Sequence, residues 1–125
     1  MLMKWIKLVF VASGIYDGLL GATFLLFGMQ IFRFMGVTPP NHIGYIQFPA
    51  LLLILFGIVF LRIARDPAGR SDWIPFGMGL KFAYFAVVFW NELHGGIPML
   101  WIPFAWADLA FFLLFLAAWR HLRRQ

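Results

Sequence analysis

WIKLVFVASGIYDGLLGATFLLFG, residues 5–28, is the stretch that decides the fold. Its apolar run is longer than the h-region of a secretory signal, so no cleavable signal peptide is expected. It is long enough to cross a bilayer, which takes about 20 apolar residues. Yet Asp17 stands near its middle. A charge at bilayer depth costs roughly 2.5–3.5 kcal/mol on insertion scales, so it needs a partner and marks a functional site by default. Two later apolar runs carry the same anomaly, one with Lys81 and one with Asp108.

The composition fits that reading. Of 125 residues, 63% are hydrophobic and only 12% charged, against about 25% charged in a soluble domain. Mean hydropathy is +0.87. The length suits one domain, residues 1–125. Sixteen Phe and six Trp suit a lipid-facing and interfacial surface. The net charge of +5 comes from basic residues that flank apolar runs instead of covering a polar face, so it does not point to nucleic acid. The absence of Cys excludes disulfides, thiolate metal sites and thiol redox chemistry.

Four transmembrane helices are expected, over residues 4–29, 43–63, 73–90 and 97–119. Gly36-Val37-Thr38-Pro39-Pro40-Asn41 breaks the first from the second, because Pro removes a donor and restricts its neighbour. Gln30 to Met35 reads as an interfacial extension of the first helix. The turn from Arg65 to Asp72 ends in Ser71 and Asp72, either of which suits an N-cap for the third helix. Asn91 to Gly96 links the third and fourth. Such short links imply antiparallel neighbours, hence an all-α, up-down-up-down bundle.

Lys4, Lys7, Arg62, Arg65, Arg70, Arg120, Arg123 and Arg124 fall on one side of this arrangement, and only Arg33 on the other. By the positive-inside rule both termini are expected in the cytoplasm, and the protein in a bacterial inner membrane as a multi-pass chain. Trp5, Trp73 and Trp119 then mark the inner interface, Trp90 and Trp101 the outer one. No convincing internal repeat is present.

At 1.5 Å per residue, Asp17 lies about 18 Å beyond Trp5, Asp108 about 16 Å before Trp119 and Lys81 about 12 Å beyond Trp73. The flexible stem of Lys81 covers the difference, so the three are expected in one layer near the midplane. The helix faces agree. Gly14, Asp17, Gly21 and Gly28 share a stripe of small residues that permits close packing. Gly77, Lys81, Tyr84 and Val88 share another, and Tyr84 is placed to donate to a carboxylate. Trp101, Phe104, Ala105, Asp108, Phe111 and Phe115 share a third. Gly44, Gln47, Leu51, Ile54 and Gly57 are the expected inner face of the second helix. Tyr16, Tyr84 and Gln47 therefore join Asp17, Lys81 and Asp108 as candidates for binding a proton or ligand. His42, Glu92 and His94 are candidates for an outer vestibule. Glu92 and His94 lack the i, i+4 spacing of helical metal ligands, so neither a metal nor a cofactor is assigned.

Tyr16-Asp17 with Gly21, Arg65-Asp66-Pro67, Gly79-Leu80-Lys81 and Asp108-Leu109 together resemble small bacterial four-span proteins of DoxX-like type. That resemblance implies a link to quinol-oxidising or thiol-related membrane complexes. The missing cysteine speaks against the thiol role, and no catalytic residue is carried over.

Two functions follow as expectations. In the first, Asp17 and Asp108 exchange protons and Lys81 couples that exchange to binding and transport of a small ligand, cationic or lipophilic. Four helices enclose little space, so a homo-oligomer is expected. In the second, the chain is a non-catalytic accessory subunit of a larger membrane complex. An independent enzyme ranks third, because no phosphate loop, nucleophile elbow or H-E-x-x-H pattern is present. The blander reading of the three charges is a neutralised network that only fixes packing.

Overall fold

The computed structural model describes residues 2–124 and is helical throughout its regular structure. Met1 and Gln125, the ends of the expected domain, lie outside the described residues. Helices α1 (Leu2–Phe34), α2 (Gly44–Arg65), α3 (Ile74–Leu93) and α4 (Ile102–Arg123) follow in order. All four are long and apolar enough to cross a membrane. They form two hairpins, α1 with α2 and α3 with α4, each packed more extensively within itself than against the other.

Proline and aromatic residues set the helix boundaries more than caps do. Neither Ser71 nor Asp72 caps α3 through its side chain. Instead a 3-10 turn, Ser71–Trp73, leads in, and Pro75 occupies the first turn, where its missing N–H costs nothing. The same device starts α4: Met99–Trp101 is a 3-10 turn and Pro103 sits in the first helical turn. That moves the start of α4 from the expected residue 97 to 102. α1 does continue through the expected extension, but with a break at Phe27, whose φ of −128° and ψ of 18° are not helical.

The small-residue stripe draws α1 and α2 together. Gly14, Asp17, Gly21 and Gly28 are all buried. A Cβ on Gly57 would fall 2.8 Å from the Gly14 carbonyl oxygen, and one on Gly21 would fall 2.5 Å from the Ala50 carbonyl oxygen. In lipid, where helices gain little from hiding apolar surface, such backbone proximity and its dispersion contacts hold a pair together. This contact bears out Gly57 and Ile54 of the expected α2 face, which both meet α1, and corrects the rest. Its buried residues are Ile46, Ala50, Gly57, Phe60, Ile63 and Ala64, whereas Gln47 and Leu51 are exposed. Toward the start of α2 the buried face is turned by about one residue's 100° step from the expected orientation. Small Ala50 and Gly57 seek the glycines of α1, and that outweighs the pull of one amide.

The two ends of the bundle differ. The end that holds the termini is filled by Ile6, Phe10, Phe60, Ile63, Ile74, Phe115 and Ala118. Phe10 stacks on Phe115 at 4.5 Å between centroids, and Phe60 meets Phe115 edge-on at 5.0 Å. Aromatic pairs of this kind contribute about 0.5–1.5 kcal/mol each. The opposite half is hollow.

Candidate functional site

The three charges meet where the packed half gives way to the hollow one. Lys81, fully buried on α3, reaches across the bundle to Asp17 of α1, with Nζ donating to Oδ1 at 2.9 Å and Oδ2 at 2.8 Å. It also donates to Oδ1 of Asp108 on α4 at 3.2 Å. The expected layer is therefore a set of direct contacts. The side chain of Asp17 is 1% exposed and that of Asp108 is 10% exposed. Rings of Phe111, Tyr16 and Phe60 surround the ammonium at 4.9, 5.3 and 5.6 Å. Their negative faces add to its stabilisation in a place water does not reach.

A cavity of about 560 Å³ begins at the two carboxylates and runs to the loops that join α1 to α2 and α3 to α4. Asp17 and Asp108 form its floor, and Lys81 lies behind them, outside the lining. The walls are mostly apolar. An aromatic wall crosses from α1 to α4: Trp101 lies 5.5 Å from Phe32 and 5.9 Å from Phe24, and Phe24 lies 6.3 Å from Phe104. Leu53 of α2 and Leu80 of α3 line the gap between the hairpins. Formally the floor carries two negative charges and one positive, a net of one negative charge facing an apolar, aromatic chamber.

Tyr84 stands at the site as expected but with a different partner. It lines the cavity, and its hydroxyl donates to the Trp101 carbonyl at 2.9 Å and not to a carboxylate. It ties α3 to the 3-10 turn that starts α4, because that turn leaves a carbonyl facing inward. Tyr16 packs on Phe111 at 5.6 Å, and its buried hydroxyl has no protein partner. Ser13, one turn before Asp17 on the same face, is also buried with an unpartnered hydroxyl.

Gln47 does not join the site, since it points away from the bundle. Nor do His42, Glu92 and His94 line the cavity. His42 accepts from the Gly44 N–H at 2.9 Å and borders a separate shallow hollow with Asn41 and Phe48. His94 stacks on Trp90 at 4.1 Å and donates through Nδ1 to the Trp90 carbonyl at 2.7 Å. Glu92 is exposed. No group of three His, Asp or Glu that could hold a metal exists among the described residues.

The rim instead uses Thr38 and Pro40 from the first connection, Tyr45 from the first turn of α2 and Pro98 from the third connection. Sequence reading missed these because they carry no charge. The available signal was the pair of Pro-bearing connections at one end of the bundle, since Pro cannot continue a helix across the opening. No family model, curated protein or solved structure matches this chain.

Proposed function

We propose that this protein binds a small lipophilic cation in the hollow half of the bundle, and that proton exchange at Asp108 couples binding to movement across the membrane. The observation that carries this reading is the cavity of about 560 Å³ with Asp17 and Asp108 at its floor and aromatic rings on its walls. A monocation resting there completes the charge balance that Lys81 leaves short by one. Its apolar body replaces lipid contacts with ring contacts, and cation–π attraction adds about 2 kcal/mol when the site is desolvated. Asp108 is the exchanging group, because Lys81 holds it by one oxygen and it is the more exposed of the two acids. The excess of basic residues at the packed end supports cytoplasmic termini in a bacterial inner membrane, which would open the cavity toward the outside.

The test is binding of benzyltrimethylammonium and of its neutral isostere neopentylbenzene to the purified chain in mild detergent. The cation should bind at least about tenfold tighter than the isostere, a difference of about 1.4 kcal/mol. Proton and cation compete for Asp108, so affinity should rise with pH by up to about tenfold per unit over the range in which Asp108 ionises. Asp108→Asn should flatten that dependence. Equal binding of both compounds would sink the reading. If the chain binds neither and co-purifies with a larger assembly, the accessory-subunit role suggested by the DoxX-like resemblance takes its place.

A further inference from the structure

A second groove lies at the packed end, on the outer surface between α1 and α2. It is lined by Lys7 and Val11 of α1 and by Ile58, Leu61, Arg62 and Arg65 of α2, with a volume of about 560 Å³. Its two parts differ in chemistry. Lys7, Arg62 and Arg65 make the end nearest the termini cationic, and exposed Val11, Ile58 and Leu61 make the rest apolar. The floor is closed, because Gly14 brings α1 against Leu61 and Gly57 of α2.

The three cations have no anionic or aromatic partner among the described residues. The nearby acids are engaged elsewhere: Asp66 accepts from the Gly69 N–H at 3.1 Å, and Asp72 lies 3.9 Å from Arg123. Two other arginines of the same end are engaged too, Arg70 over Trp73 at 4.9 Å and Arg123 over Trp119 at 5.5 Å. Lys7, Arg62 and Arg65 instead converge on one groove at the depth where an apolar span meets the interface.

We propose that this groove holds one anionic phospholipid. Its phosphate sits among Lys7, Arg62 and Arg65, and an acyl chain lies along Val11, Ile58 and Leu61. Charge complementarity argues for a phosphate, since guanidinium forks match its oxygens in pairs. The apolar continuation argues for a lipid over a free anion. This site shares no residue with the cavity, so it stands or falls separately from the transport reading.

Native mass spectrometry and thermal unfolding of the full chain in mild detergent test it. The probes are dioleoylphosphatidylglycerol, dioleoylphosphatidylcholine and inorganic phosphate. One phosphatidylglycerol per chain should be retained and should raise the unfolding temperature. Phosphatidylcholine and inorganic phosphate should do neither. Lys7→Gln/Arg62→Gln/Arg65→Gln should weaken phosphatidylglycerol about 100-fold, at about fivefold per cation. Arg120→Gln/Arg123→Gln/Arg124→Gln removes the same charge from the same end and should leave binding within about threefold. Equal losses in both triples would show diffuse attraction and overturn the site. So would equal retention of phosphatidylcholine, or displacement of the lipid by inorganic phosphate. If the groove triple fails to fold, Arg62→Glu decides: a folded Arg62→Glu chain that keeps phosphatidylglycerol overturns the proposal, and one that loses it upholds it.

Discussion

Lys81 grips Asp17 by both carboxylate oxygens, at 2.8 and 2.9 Å, from the opposite corner of the bundle. Asp108 receives only a single bond at 3.2 Å from the same ammonium. One acid is therefore the fixed counterion of the buried cation, and the other faces the chamber with its second oxygen uncommitted to Lys81.

That inequality predicts unequal mutational costs. Lys81→Met should destabilise by about 3–5 kcal/mol, because it strands two buried carboxylates, and Asp17→Asn by somewhat less, because it leaves Lys81 with only the longer bond to Asp108. Asp108→Asn should cost only about 1 kcal/mol, since its amide oxygen can still accept from Lys81. The triple variant Asp17→Asn/Lys81→Met/Asp108→Asn should recover most of the loss. Thermal unfolding in mild detergent ranks the four; a triple that melts as low as Lys81→Met would show the network to be needed for folding itself.

The glycine contacts predict a sharp contrast between positions. Gly57→Ala should destabilise by about 1–3 kcal/mol, because its Cβ would meet backbone atoms of Gly14 and Gly18, which cannot rotate away. Gly79→Ala has open space around it and should stabilise α3 by up to about 1 kcal/mol through helix propensity. Unfolding temperatures of the two variants should move in opposite directions.

Tyr84→Phe should remove the bond to Trp101 and leave a carbonyl unsatisfied, at about 1 kcal/mol. Because Trp101 belongs to the aromatic wall, affinity for benzyltrimethylammonium should fall several-fold, by about 0.5–1 kcal/mol. Titration of the cation against both proteins measures this; unchanged affinity would separate the turn from the binding wall.

Ser13→Ala should be neutral or stabilising by about 1 kcal/mol, as the buried hydroxyl has no protein partner to lose. A clear drop in unfolding temperature would mean that Ser13 holds an internal water in the folded protein.

The sequence made the charged layer legible because apolar helices have fixed rise. Asp17, Lys81 and Asp108 could be placed by counting from Trp5, Trp73 and Trp119. The burial of Gly14, Gly21 and Gly77 was legible for the same reason, through their spacing. The face of α2 was legible at Ile54 and Gly57 but not nearer its start. Gln47 looked like the residue to bury, but at the end of a span an amide finds water or headgroups, and Ala50 offered the smaller profile to α1. Nor could the cavity be read. It is lined by residues of all four helices, and no single residue encodes such a space. His42 and His94 drew attention as chemically versatile side chains, yet each is engaged by its own loop or helix.

The contrast between a sealed half and a hollow half has an electrical consequence. Where water fills the chamber, a transmembrane voltage falls mainly across the plug of Phe10, Phe60 and Phe115 instead of across the full bilayer. Asp108 then shares nearly the potential of the medium at the open end. Any elementary charge moved from there to the basic end would cross most of the field within the plug, at about 2.3 kcal/mol for each 100 mV. The position of the floor, more than the chemistry of any one side chain, decides how strongly this small bundle feels the voltage of the membrane that holds it.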